Sequence, residues 1–408
     1  MTTPCSCCGA STWLTLLAAY MVVVQVLRFR RLRGMKELDS SAVYRQMAML
    51  EFPFTVIKAL EFALFRTYGV PSISKLLDKT RVFGSQVGKR YDDTDLILRE
   101  YSENLPESER TLTAMARMNA IHGMYSKEIS NGDMLFTLSL FIVEPAKWID
   151  RFEWRCCSEV EKAGLFGHFS LMGRRMGIKG VGDWKNWYDA NAFYEAYEAE
   201  HFRFAASNKA IADSTITLFL SIAPKLLRPA GRWAVYALMD PPLLKAMGLP
   251  QAPVVVQWLI KGSLLLRAFF LRFFMLPRPD FLANRRTPYD DASSANNGAS
   301  ASATAAAAVA GGCSGLSRGG GFDGKTGDAL INGDVDAVRI PRFFMFDDAK
   351  LGCLSSKDGY IIKNLGTTAC PAGRLFEGVP TYTGKGGGGS DRTATSAVTS
   401  TAESKKLS

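Results

Sequence analysis

The chain carries three histidines, at positions 122, 168 and 201, and two of them sit in patterns that could do chemistry. Residues 112–125 read LTAMARMNAIHGMY, a stretch of good helix formers with one glycine and no proline. Met115, Met118, His122 and Tyr125 recur at spacings of three and four, which sets them on one helical face. That face is apolar except for the imidazole. A second apolar run, MLFTLSLFIVEP over 134–145, follows a breaker at Asn131-Gly132. An imidazole within such an oily helix pair is a candidate axial ligand for haem. It is equally a core histidine whose ring bonds a backbone carbonyl, and spacing alone leaves both readings open.

The second pattern is Glu198-x-x-His201, with Glu195 one turn earlier. This is the unit from which helical bundles build carboxylate-bridged di-iron sites, and such sites need it twice. Asn119 stands three residues before His122 and Leu165 three before His168. Neither supplies the second unit. The cysteines do not fill the gap. Cys5, Cys7 and Cys8 crowd the N-terminus, Cys156 and Cys157 are adjacent, and Cys313, Cys353 and Cys370 lie in the last third. No pair has CxxC metal spacing matched by another. Eight cysteines in 408 residues also make a disulfide scaffold improbable. A Cys5-x-Cys7-Cys8 group beside a membrane segment would be open to acylation, or the thiols are incidental.

The elements around these residues read as helices. Ser40 and Ser41 offer an N-cap for VYRQMAMLEFPFTVIKALEFALFR (43–66), which Pro53 breaks or kinks. After a turn at Gly69-Val70-Pro71, Ser72 caps a helix holding Leu76, Leu77, Lys79 and Thr80. Tyr91-Asp92-Asp93-Thr94 reads as a helix start, and Pro106-Glu107-Ser108 opens the His122 helix. An aromatic, charged helix follows Pro145, carrying Trp148 and Phe152. Residues 164–182 are glycine-rich and read as loop; 183–208 and 211–223 read as helices again. Alternating strand patterns are absent from the body.

Charge and composition narrow the class. The net charge of +10 is not gathered into an aromatic-interleaved basic motif, so nucleic acid is not an expected partner. A hydrophobic content of 47% is ordinary for a globular protein and too low for a multi-span transporter. Residues 1–27 contain no charged side chain, and 13–27 are apolar almost throughout. Arg28, Arg30, Arg31, Arg33 and Lys36 follow the run rather than precede it, the reverse of a cleaved signal peptide. The expectation is a single signal anchor over 12–29, with 1–11 across the membrane and the body in the cytosol. A second oily run, 252–276, is interrupted by Lys261, Arg267 and Arg272, which lie within about two-fifths of a helical circumference. It reads as an interfacial helix against lipid, or as a core helix with one wet edge. The body is expected over 34–285. A low-complexity linker over 286–339 (nearly all Ala, Ser and Gly at 293–321), short docking segments over 340–382 and a disordered tail over 383–408 follow.

Residues from about 49 to 247 resemble the mpaB family of endoplasmic-reticulum-bound oxygenases and the related bacterial rubber oxygenases (latex clearing proteins). EFPFTVIKALEFALFRTYGVPSISKLL, ARMNAIHGMY and ISNGDMLFTLSLFIVEPAKWIDRFEWR carry the likeness, and GRLFEGVP at 373–380 is similar to the family's C-terminal end. The resemblance implies an all-α, globin-like body holding haem b through a histidine, dioxygen as co-substrate and an apolar prenylated or terpenoid substrate. It implies a place at the endoplasmic reticulum membrane, in contact with lipid. Rubber oxygenases hold that histidine in R-x-x-x-x-H-x-x-V-R. Arg117 and His122 match the first half, while Tyr125 and Ser126 stand in place of the Val and Arg. By the same resemblance Lys79-Thr80 would cover the distal haem face, although Leu76 replaces an expected arginine three residues earlier. Glu61 falls near the position of the catalytic glutamate. Arg66, Arg90 and Arg117 are candidates for the haem propionates. The competing class is a non-enzymatic membrane-tethered isoprenoid-binding protein with a pocket of Met115, Met118 and Phe136.

Overall fold

The computed structural model describes residues 6–80 and 87–287; the expected linker, docking segments and tail lie outside them from residue 288 onward. Among the described residues the fold is all-helical, with no strand. Thirteen α-helices follow one another: α1 (Ser6–Gly34), α2 (Ser40–Gln46), α3 (Pro53–Thr67), α4 (Pro71–Lys79), α5 (Val87–Glu103), α6 (Glu109–Gly123), α7 (Asn131–Phe152), α8 (Glu159–Arg175), α9 (Trp187–His201), α10 (Ala206–Phe219), α11 (Arg228–Leu238), α12 (Pro241–Met247) and α13 (Val254–Phe274).

The body is wound around α7, whose Phe136, Leu140, Ile142, Val143, Ala146 and Ile149 are almost wholly buried. Helices α3, α8 and α9 pack directly on it. Pro145 lies inside α7 instead of ending it, and the helix continues to Phe152. A proline removes only one ladder bond; here the flanking Val143 and Ala146 are fully buried, so packing outweighs the loss. A smaller core joins Phe65 of α3 to α10 and α12 through Ala212, Ile216, Leu243 and Met247. Arg66, at the same end of α3, binds Glu198 of α9 and Asp240 ahead of α12, with nitrogen–oxygen distances of 2.6–3.1 Å. It ties three elements by charge-assisted bonds.

Two local expectations are corrected. Residues 164–175 are not a loop, because α8 runs through Gly164, Gly167 and Gly173 and the turn expected there begins only after Arg175. The glycines are there for close packing: a Cβ on Gly164 would run into Val43, and one on Gly167 into Ser40, both of α2. Helix start signals hold α8 in place, since Ser158 and Glu161 form a reciprocal capping box. Second, the α2 cap is Asp39, which accepts from the amides of Ser41 and Ala42; Ser72 instead bonds Asp133 of α7 at 2.8 Å.

Helix α1 and α13 are both long and apolar enough to cross a membrane. They meet through polar side chains on α1 that seek carbonyls at the end of α13. Tyr20 donates to Phe274 O, Gln25 to Arg272 O, Arg28 to Met275 O and Arg31 to Arg278 O. Arg267 of α13 turns toward the body and pairs with buried Glu153 at 3.0 Å. The edge expected to be wet is therefore partly turned inward. Val255, Trp258, Leu259, Leu266 and Phe270 form an exposed apolar outer face.

Candidate active site

Helix α6 begins at Ser108, whose hydroxyl accepts from the Thr111 amide, and ends at Gly123. Its last turn presents His122 to a cavity of about 250 Å³. Helix α3 supplies Ile57, Leu60, Glu61 and Leu64 to the same wall; α4 supplies Ile73 and Leu77; α5 supplies Arg90, Tyr91 and Arg99; α10 closes it with Leu218 and Phe219. The lining is mainly apolar, with a few polar groups converging on it, which is the ordinary make-up of a small-molecule site.

His122 is half-buried, and the part of its ring that stays accessible belongs to the cavity wall. Burial pushes its pKa down to about 4; the Met118 carbonyl opposes the shift and the Arg90 charge adds to it. The imidazole is therefore neutral at pH 7. Its Nδ1 is buried with no hydrogen-bond partner of normal geometry. Glu61 accepts from the Tyr91 hydroxyl at 2.8 Å and from Lys58 Nζ at 2.7 and 3.0 Å. Burial beside that carboxylate drives the Tyr91 phenol far above its ordinary pKa, so it remains a donor. Arg99 is fixed on the wall by Asp95 at 2.7 Å and Glu103 at 2.8 Å.

The structure thus brings His122, Glu61 and Arg90 to one cavity and leaves the other expected site residues outside it. Lys79 is 72% exposed and lies 3.6 Å from Glu128. Thr80 turns its hydroxyl back to the Leu77 carbonyl at 2.6 Å. Arg117 is buried on α6 and does not line the cavity; of the three propionate candidates only Arg90 does. Arg66 is committed to Glu198 and Asp240. Met115, Met118 and Phe136 are packed core residues rather than pocket walls. The Glu198-x-x-His201 unit is structural too. Glu198 is held by Arg66, Glu195 by Lys147, and His201 stacks on Tyr197 at 3.9 Å. Among the described residues no group of three His, Cys, Asp or Glu side chains is arranged to hold a metal ion.

Tyr91 and Arg99 are the residues that sequence reading missed. The one signal for Arg99 was its spacing of four from both Asp95 and Glu103. Nothing local marks Tyr91, because its partner lies thirty positions away in sequence.

A neutral imidazole on the wall of an apolar cavity among helices is a ligand type suited to haem iron. Arg90 on the wall suits its carboxylate groups, whereas Arg99 is already held by Asp95 and Glu103. At about 250 Å³ the cavity by itself is smaller than ordinary ligand sites, which run from roughly 300 to 1,000 Å³. A second, larger space of about 830 Å³ adjoins it and shares Ile57, Glu61, Tyr91, Arg99 and Asn284 as wall.

An all-helical body with a histidine on an apolar cavity is shared by many folds, and sequence comparison assigns the family. The chain belongs to the family of ER-bound oxygenases mpaB and mpaB′ and rubber oxygenases, whose catalytic-domain model matches residues 106–271. It is 34% identical over 305 residues to ER-bound oxygenase mpaB′ of Penicillium brevicompactum, covering 66% of this chain and 72% of that protein. It is 35% identical over 261 residues to ER-bound oxygenase mpaB of Penicillium roqueforti (strain FM164), covering 57% of this chain and 88% of that protein. The protein is an oxidoreductase of the oxygenase class. The family match includes Arg117 and His122, whereas Glu61, Lys79 and Thr80 stand on helices before it.

Proposed function

We propose that this chain is a membrane-anchored, haem-dependent oxygenase that acts on a carbon–carbon double bond in a prenyl or terpenoid chain of secondary metabolism, cleaving it. The observation that carries this reading is His122: a neutral imidazole on the wall of an apolar cavity in a chain of the oxygenase family. Haem b, held by His122 with Arg90 available to a propionate, would supply the iron that activates dioxygen.

The remaining roles belong to the chain itself. Leu60, Leu64, Ile73, Leu77 and Phe219 exclude water from the reacting bond and accept an apolar chain without a polar cost. Glu61 is the acid–base group of this reading, and Tyr91 and Lys58 orient its carboxylate. Lys79 and Thr80 gain no support as distal residues, since neither reaches the cavity wall. The oxygenase domain is residues 34–285. The signal anchor places it on the cytosolic face of the endoplasmic reticulum, an arrangement consistent with relatives named ER-bound.

The test is spectral first and chemical second. Purified protein should show a Soret band that His122→Ala abolishes, while His168→Ala and His201→Ala leave it in proportion to folded protein. Membranes containing the protein, given a prenylated aromatic and oxygen, should yield shortened aldehyde or acid products by mass spectrometry. Hydroxylated, uncleaved products would keep the oxygenase and remove the cleavage. Stoichiometric binding without oxygen consumption by haem-loaded protein would favour an isoprenoid carrier.

A further inference from the structure

The outer space of about 830 Å³ has no role in the site just described. Its walls include Phe54 and Ile57 of α3 and residues of the two helices apolar enough to cross a membrane: Tyr20 and Arg28 of α1, and Phe274 with Leu276 at the end of α13. These flank the exposed apolar faces of α1 and α13. Behind Phe54 and Ile57 lies the partition shared with the inner cavity. Most of that partition is rigid. Arg99 is locked by two carboxylates on its own helix, and Ile57 sits on the well-packed α3. The adjustable part is the contact between α3 and α5 made by two side-chain tips, the Tyr91 hydroxyl and the Glu61 carboxylate. Rotating either about its χ angles parts them without moving backbone.

We propose that the outer cleft is the membrane-side mouth of the inner cavity, and that the Tyr91–Glu61 contact is the gate that an apolar chain dissolved in the bilayer must part to reach His122. The inference rests on the membrane attachment and apolar substrate proposed above. A chain with low aqueous solubility gains from a route that never passes through water, because apolar surface exposed in transit costs roughly 25 cal/mol per Å². The inner wall beyond the gate continues the apolar lining with Leu64, Leu77 and Phe219. Glu61 therefore has two duties on this reading: it latches the gate at rest, and it faces the chain once the chain is inside.

The experiment uses the full chain in lipid nanodiscs and a farnesol analogue bearing a terminal diazirine, with labelled peptides mapped by mass spectrometry after timed irradiation. Labels should fall on the outer wall, at Phe54 and Phe274, and with a delay on the inner wall, at Leu64 and Phe219. Ile57→Trp, which fills the partition, should keep the outer labels and cut inner labelling on the order of ten-fold. Tyr91→Phe, which removes only the latch hydroxyl, should speed inner labelling on the order of ten-fold, the weight of one charge-assisted hydrogen bond. Unchanged melting temperatures of both variants establish that they fold. Inner labelling of Ile57→Trp at the wild-type rate, or inner labels with none on the outer wall, would overturn the proposal. Labelling needs neither haem nor turnover. A missing Soret band with this labelling pattern intact would sink the haem reading and spare the gate.

Discussion

His122 and His168 are both kept neutral by burial, with pKa values pushed down to about 4 and about 3. Only His122 faces a cavity; His168 stacks on Tyr44 at 4.1 Å and shares a hydrogen bond with Ser41 at 3.2 Å. The two have the same consequence for stability. Their folded pKa values lie below the ordinary 6.5, so as pH falls the unfolded chain takes protons that the folded chain refuses. The stability they confer is present above pH 6.5 and is lost as pH drops toward 4. Chemical denaturation at pH 7, 6, 5 and 4 should show a falling midpoint, and His168→Asn, which keeps a polar group toward Ser41 but does not titrate, should flatten part of the slope. A midpoint independent of pH across that window would contradict it. Glu61 has its own test. Glu61→Gln should retain haem and lose about a hundredfold in turnover, the usual size of a lost general base; an undiminished rate would leave Glu61 as wall and latch only.

At the scale of elements, two junctions control whether the cavity forms. One is ionic: Arg66 of α3 stands between Glu198 and Asp240, nearly buried, with Tyr194 and Phe202 each 5.6 Å away as ring partners. Arg66→Met would leave two carboxylates facing each other without a cation. Breaking a buried pair in this way costs about 3–5 kcal/mol, and urea unfolding should report a loss of that order. The other junction is steric. Gly164 and Gly167 let α8 approach α2 closely, and α2 contributes Tyr44 to the cavity wall. Gly164→Ala should cost about 1–3 kcal/mol by overpacking, against the small gain expected of alanine in an ordinary helix. A stabilised Gly164→Ala would mean that α2 gives way easily.

For the molecule as a whole, the exposed apolar surface is not confined to α1. Helix α13 spans about 31 Å at 1.5 Å per residue, close to the thickness of a hydrocarbon core, and Trp258, Leu259, Leu266 and Phe270 lie uncovered along it. Membrane binding should therefore survive loss of the anchor. Deleting residues 1–33 should weaken flotation with liposomes without abolishing it, and adding Trp258→Glu with Phe270→Glu should remove the remainder. If the deletion alone gave a fully soluble body, α13 would have no lipid contact. Protease added to intact microsomes should digest residues 40–285 when the body faces the cytosol; full protection would reverse the topology.

The sequence by itself determined the helices and their order, because 3.6-residue apolar periodicity and capping residues are local and survive any packing. It also determined the apolar N-terminal helix with its trailing arginines, and it marked His122 as the imidazole on an oily face. Glycine was its weak point. Residues 164–182 read as loop since local propensity cannot see a neighbouring helix, whereas α2 pressed against Gly164 and Gly167 makes glycine the residue that fits. Tertiary structure alone decided which polar groups share a site. Glu61, Tyr91 and His122 lie on α3, α5 and α6 and meet only once those helices pack. Lys79, although it lies in the intervening chain, is carried to the surface. Glu198 and His201 keep a metal-binding spacing along their helix, but Arg66 reaches the glutamate from 132 positions away and takes up its charge. Spacing fixes the face of a helix on which a side chain lies; what stands opposite that face depends on contacts between distant parts of the chain, which no local pattern encodes.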